Sequence, residues 1–211
     1  MSNYLAWAVI PLVLLIVAAP IFYILPTSRD KYLTALRLRA KNSGCLVKMV
    51  SLDRLDVNES ELVRSSGRVV QPKSQLMSYT RLIQSKVDFH HSFLFRRISD
   101  RIPQSISRLS KDWGLVMETT SVNGTAEPDN RVSFLDKYAN ELISIFQALP
   151  LDVQGLSIDQ KRLVIFWNES QGEISKRKRL SNGQIEQKAQ ENLEPINVCF
   201  RELENLIDQL S

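Results

Sequence analysis

The chain has 211 residues, of which 44% are hydrophobic and 24% charged, with a net charge of +4. This is globular composition at the length of one ordinary domain, and it excludes a disordered chain, a collagen-like repeat and a polytopic membrane protein. The charge is unevenly placed, because residues 1–26 hold none of the 27 Lys and Arg or the 23 Asp and Glu.

Residues 4–25 form 22 consecutive uncharged, mostly apolar positions. As a helix this stretch is roughly 30 Å long, the thickness of a bilayer's hydrocarbon core, and it predicts a transmembrane anchor over residues 1–26. Pro11 and Pro20 are tolerated in such a helix, and Tyr4, Trp7, Phe22 and Tyr23 stand near its ends, where aromatic rings favour the headgroup level. A signal peptide cleaved near Val17-Ala18-Ala19 fits less well, because Met1–Trp7 has no basic residue ahead of the apolar core. Beyond the span, Arg29, Lys31, Arg37, Arg39 and Lys41 are set against Asp30 alone. That bias predicts a single-pass inner-membrane protein with its N-terminus outside and its remainder cytoplasmic, and it makes these basic residues the candidate contacts to the membrane surface. The partners expected are membrane lipid through the anchor, anionic lipid at the surface and a protein.

Thr27-x-x-Asp30 reads as a capping box opening a basic juxtamembrane helix over residues 27–44, with Gly44 as its stop. Cys45–Leu52 reads as a strand, residues 53–74 as a polar connection with a short extended piece at Val69-Val70, and Gln75–Gln84 as a second strand. Residues 89–112 read two ways. Phe93-Leu94-Phe95 fits a strand, whereas Leu94, Ile98, Ile102, Ile106 and Leu109 recur at helical spacing among Arg96, Arg97, Arg101 and Arg108, a helix that would cover the sheet or lie along headgroups.

Trp113–Thr120 reads as a strand. Leu135, Tyr138, Leu142, Ile145 and Leu149 predict a helix capped by Asp129 or Asn130 and closed by Pro150. Val153–Ile158 and Leu163–Trp167 read as a hairpin, and Lys176–Gly183 as a basic connection. Ala189, Leu193, Ile196, Phe200, Leu203, Ile207 and Leu210 predict a final helix, with Pro195 as a kink or a first turn. The stripe suits packing on the protein's own sheet, and also a seam for a partner helix. Together these elements predict an α+β domain over residues 45–211, an antiparallel sheet covered by two or three helices.

Catalytic and cofactor signatures do not stand out. The seven glycines form neither G-x-G-x-x-G nor G-x-x-x-x-G-K-[ST], and no G-x-S-x-G or H-E-x-x-H occurs. His90 and His91 are adjacent and diverge on either a strand or a helix, so one metal rarely takes both. Asp53, Asp56, Asn58, Glu59 and Glu61 offer oxygen ligands, but at the wrong spacing for an EF-hand and without its turn glycine. No cofactor or metal is expected. Cys45 and Cys199 read as reduced core thiols, Trp113 and Trp167 as core anchors, and the N-x-S/T triplets at Asn58, Asn123 and Asn168 as chance matches.

Residues 27–111 hold 17 basic and 7 acidic side chains, net +10, and residues 112–211 hold 10 and 16, net −6. The basic half is the one next to the predicted span, which orients the domain with that half toward anionic lipid. Lys176-Arg177-Lys178-Arg179 has no aromatic interleaving and sits in the acidic half, so nucleic acid is not an expected partner.

The uncharged stretch, the Tyr23-Ile-Leu-Pro26 exit and the following basic helix resemble the YajC-type accessory subunit of the bacterial Sec translocase over residues 4–41. The chain lacks that family's R-P-Q exit motif and short glycine-rich β segment, and its following domain is longer. The whole layout resembles the uncharacterised single-pass inner-membrane proteins of Gram-negative bacteria, a resemblance that implies no activity and carries no site. The function expected is a membrane-anchored α+β domain for protein interaction or membrane-associated assembly. The alternatives are a membrane-tethered enzyme or an accessory subunit of a translocase or other membrane complex.

Overall fold

The computed structural model describes residues 26–57, 62, 67–83, 91–99, 106–120, 129–159, 161–169 and 181–209. Helix α1 spans Ser28–Asn42, with Thr27 as its N-cap and Asp30 closing the capping box. Thr27 Oγ1 accepts from the Asp30 backbone N–H, and the Thr27 N–H donates back to the Asp30 carboxylate, so two of the helix's orphan donors are satisfied. The Thr27 hydroxyl, donating to Asp30 Oδ2 at 2.7 Å, and then the Thr27 N–H hold the Asp30 carboxyl below the usual carboxylate range. Gly44, at φ +84°, turns the chain out of the helix in the left-handed region that glycine enters without a Cβ clash.

Seven strands follow: β1 (Leu46–Asp53), β2 (Lys73–Leu82), β3 (His91–Arg97), β4 (Ser107–Arg108), β5 (Trp113–Thr120), β6 (Val153–Asp159) and β7 (Arg162–Trp167). Between β5 and β6 lies α2, Asp129–Gln147, and after β7 comes α3, Asn182–Asp208. The sheet runs β1-β2-β7-β6-β3-β5-β4, and each pair in it is antiparallel. The domain is therefore α+β, with a seven-stranded antiparallel sheet and three helices among the described residues.

Strand alternation divides the side chains between the two faces. Tyr79, Phe93, Phe95, Trp113, Leu156, Ile158, Leu163, Ile165 and Trp167 join one buried cluster with Tyr32 and Leu36 of α1, Leu142 and Phe146 of α2, and Leu193, Phe200 and Leu203 of α3. The opposite face carries a smaller cluster of Leu76, Val164 and Phe166. Ala189, Leu193, Ile196, Phe200, Leu203 and Ile207 all lie inward, so the final stripe packs within its own chain. Pro195 sits inside α3, which begins at the Ser181 N-cap; the carbonyl it deprives of a donor belongs to Glu191, an exposed residue.

Two expectations are corrected here. The transmembrane helix and the single-pass inner-membrane location with a cytoplasmic domain are not supported. Among the described residues no helix is long and apolar enough to cross a membrane, and residues 4–25 lie outside them. α1 has only 15 residues and carries Arg29, Asp30, Lys31, Arg37, Arg39 and Lys41, and the 27-residue α3 has a charged outer face. Nor is α1 a separate juxtamembrane element, since Tyr32, Leu36 and Ala40 are part of the main core.

The helical reading of residues 89–112 also fails. Phe93 and Phe95 are both buried on the helix-covered face, which only a period of two achieves, and β3 lies between β6 and β5. Ile98 and Ile106 pack instead over Gly114, where a Cβ would stand 2.7 Å from Ile106 Cγ2. Of that stripe, Leu109 packs against the main cluster and Leu94 against the smaller cluster on the opposite face, while Ile102 is outside the described residues.

Phe146 ties α2 to the sheet, with its ring 5.1 Å from Phe95 and 4.9 Å from Trp113. Phe146→Ala is expected to cost about 3–5 kcal/mol, read from urea denaturation, while Leu151→Ala, at a position 79% exposed, stays near zero. Cys45 and Cys199 are buried free thiols, and burial pushes both upward in pKa. An aromatic disulfide reagent at mildly alkaline pH is expected to modify neither in the folded chain and both after denaturation. Rapid reaction of the folded chain would refute their enclosure.

Candidate functional site

The most enclosed acidic side chain among the described residues is Glu169, two residues past the end of β7, whose side chain is 4% exposed. The apolar run Leu163–Trp167 carries the chain across the sheet and delivers Glu169 beneath α1. Arg37 of α1 reaches down and donates through Nε, at 3.0 Å, and through Nη2 to the same carboxylate oxygen. Tyr79 of β2 donates its hydroxyl to the other oxygen, Oε1. Its ring lies 5.4 Å from Trp167, and Asn192 of α3 donates at 2.6 Å to the hydroxyl of Tyr32.

Burial first, and then the negative charge of Glu169, drive the Tyr79 phenol far above its ordinary pKa. The hydrogen bond to Glu169 raises Arg37 in the same way. A general acid or base works best when it titrates near the operating pH. Tyr79 is moved away from that range, so this cluster acts as a fastening of α1 to the sheet.

The predicted membrane-contact residues do not converge on one surface. Arg37 is held by Glu169, Arg39 donates at 2.9 Å to Gln190 of α3, and Lys31 and Lys41 are exposed. Arg29 is half-buried and also partnered. In the acidic loop, Asp53 lies 3.8 Å from Lys73 and Asp56 lies 3.4 Å from Arg54, each turned to its own cation. Among the described residues no group of three or more His, Cys, Asp or Glu is placed to hold a metal. His90, Asn58, Glu59, Glu61 and Lys176–Arg179 lie outside the described residues.

Glu169 and Tyr79 were not legible as partners. The one available signal was an acidic residue two positions after an apolar strand, and nothing local pairs it with positions 132 and 90 residues away.

The two edges of the sheet differ in kind. β4 is a two-residue strand, too short to template pairing. β1 is eight residues long, pairs β2 without a break in register, and has no strand on its outer side among the described residues. Leu46 is 53% and Met49 67% exposed along it. Positions of opposite parity put these two side chains on opposite faces of the strand. α1 leads into β1 through Gly44 and packs against it, and among the described residues no strand pairs with the outer edge of β1.

Comparison with protein-family models, characterised proteins and solved structures returns no match.

Arg37→Met leaves the Glu169 charge enclosed with Tyr79 alone. The expected loss is about 2–4 kcal/mol in chemical denaturation, at the low side for a buried pair because Arg37 is itself 39% exposed. Arg37→Met/Glu169→Met is expected to recover part of that loss; strictly additive effects would contradict the coupling.

Proposed function

We propose that this domain is a protein-interaction module that receives an extended segment of a partner protein along the outer edge of β1. The observation that carries the reading is the long, regular edge strand, unpaired on its outer side among the described residues, with exposed Leu46 and Met49. Half of such a strand's backbone N–H and C=O groups face outward and are met equally well by another strand or by water. Pairing supplies main-chain hydrogen bonds, and apolar side chains on both faces of the edge add burial that water cannot offer. The Arg37–Glu169 fastening supports the reading, because a receiving edge gains when the strand behind it is held rigid and costs less to order on binding.

A photo-crosslinking residue placed at Met49 is expected to give an adduct of discrete mass with one partner protein in cells. The same residue at Leu151 gives none, and Leu46→Lys added to the Met49 probe removes the adduct. An adduct unaffected by Leu46→Lys, or identical from both positions, refutes edge pairing. An adduct with the mass of two copies of this chain replaces a partner protein with self-association.

A further inference from the structure

Arg96 is a cation enclosed on the sheet face that the helices do not cover, with 7% of its surface exposed. Its position in β3 sets it opposite Gly155 of β6 and Gly114 of β5. A Cβ on Gly155 would stand 2.9 Å from Arg96 Cδ, so this glycine is what lets the side chain lie flat across the neighbouring strand. Nε donates to the Gln154 carbonyl at 3.3 Å and Nη1 to the Asp53 carbonyl at 3.1 Å. Both partners are neutral. Nη2 carries no hydrogen bond among the described residues, and no carboxylate among them lies within ion-pair distance of Arg96.

The charged neighbours are engaged elsewhere. Asp53 is turned to Lys73 and Asp56 to Arg54. Arg97 points to the opposite face, where its guanidinium donates to the Val153 and Pro150 carbonyls and lies 5.3 Å from the Trp113 ring. Arg96 is therefore a cation that burial has stripped of water without a direct ion pair among the described residues; desolvation lowers its pKa, against the more distant pull of the Asp53 and Asp56 carboxylates.

Arg96 borders a cavity of about 400 Å³, with Ser74, Ser99 and Gln154 among its polar walls and Leu76 and Ile98 among its apolar ones. That volume and mixture of walls are those of a small-molecule pocket. We propose that this cavity binds a small organic acid, whose carboxylate accepts from Arg96 Nη2 while the hydroxyls of Ser74 and Ser99 meet its polar substituents. The charge count selects a carboxylate over a phosphate. Arg54 is already offset by Asp56, and Asp53 and Asp56 already place negative charge near Arg96, so a single negative charge is accommodated while a second is repelled.

The test is a titration of the full chain with sodium glycolate, sodium phosphate and sodium chloride at matched ionic strength, following the Arg96 Nε–H resonance by NMR. Glycolate is expected to give a saturable shift that chloride does not, with phosphate weaker than glycolate. Arg96→Met is expected to weaken glycolate binding by at least about tenfold, the size of one charge-assisted hydrogen bond. Because Arg96 also joins two strands, Ser99→Trp serves as the second variant: it fills the cavity from an exposed position and is expected to abolish binding with an unchanged melting temperature. A response to glycolate no different from chloride, tighter binding of phosphate, or full binding by Ser99→Trp each overturns the proposal.

Discussion

A carboxylate enclosed beneath a helix sets the terms for the rest of this domain. Glu169 leaves β7 on the core side of the sheet, where an unpaired negative charge is costly by several kcal/mol. Its compensation comes from Arg37 on α1 and from the hydroxyl of Tyr79 on β2. α1 is thereby pinned over the first two strands, next to α3, and Gly44 returns the chain directly into β1. The helix packs against β1, whose outer edge pairs with no strand among the described residues.

The pinning changes what the basic residues of α1 mean. Read along the chain, Arg29, Lys31, Arg37, Arg39 and Lys41 look like one population of surface charges. In the fold, Arg37 is an internal ligand of Glu169 and Arg39 contacts α3, while Lys31 and Lys41 stay in solvent. A helix that is strongly basic by composition is thus a component of the core, with Tyr32, Leu36 and Ala40 as its inward face.

The sheet's two faces also do different work. One is sealed by three helices and an aromatic group of Phe95, Trp113 and Phe146. The other keeps a small apolar cluster and the enclosed Arg96, which lies flat because Gly155 withholds a side chain from the strand beside it. The β1 edge and the Arg96 cavity are distinct features of one sheet. The edge is a consequence of strand order, and the flat course of Arg96 beside the cavity is one of a glycine opposite an arginine.

Much of the architecture was legible locally. The capping box at Thr27 and Asp30, the Gly44 stop, β5 over Trp113–Thr120, the hairpin of β6 and β7, and the inward stripe of α3 all follow from short-range periodicity and turn chemistry. Residues 89–112 were ambiguous because their apolar positions satisfy both periods, and burial of Phe93 and Phe95 against α2 and α3 decided the matter. By itself the sequence determined the α+β make-up of the domain, through hydrophobic spacing that each segment expresses alone, while the transmembrane helix it also predicted is not supported. Only the tertiary structure decided strand order, which strand became the long free edge, and which of many charges were enclosed. Those properties depend on pairings between residues up to 132 positions apart, and no local pattern encodes them.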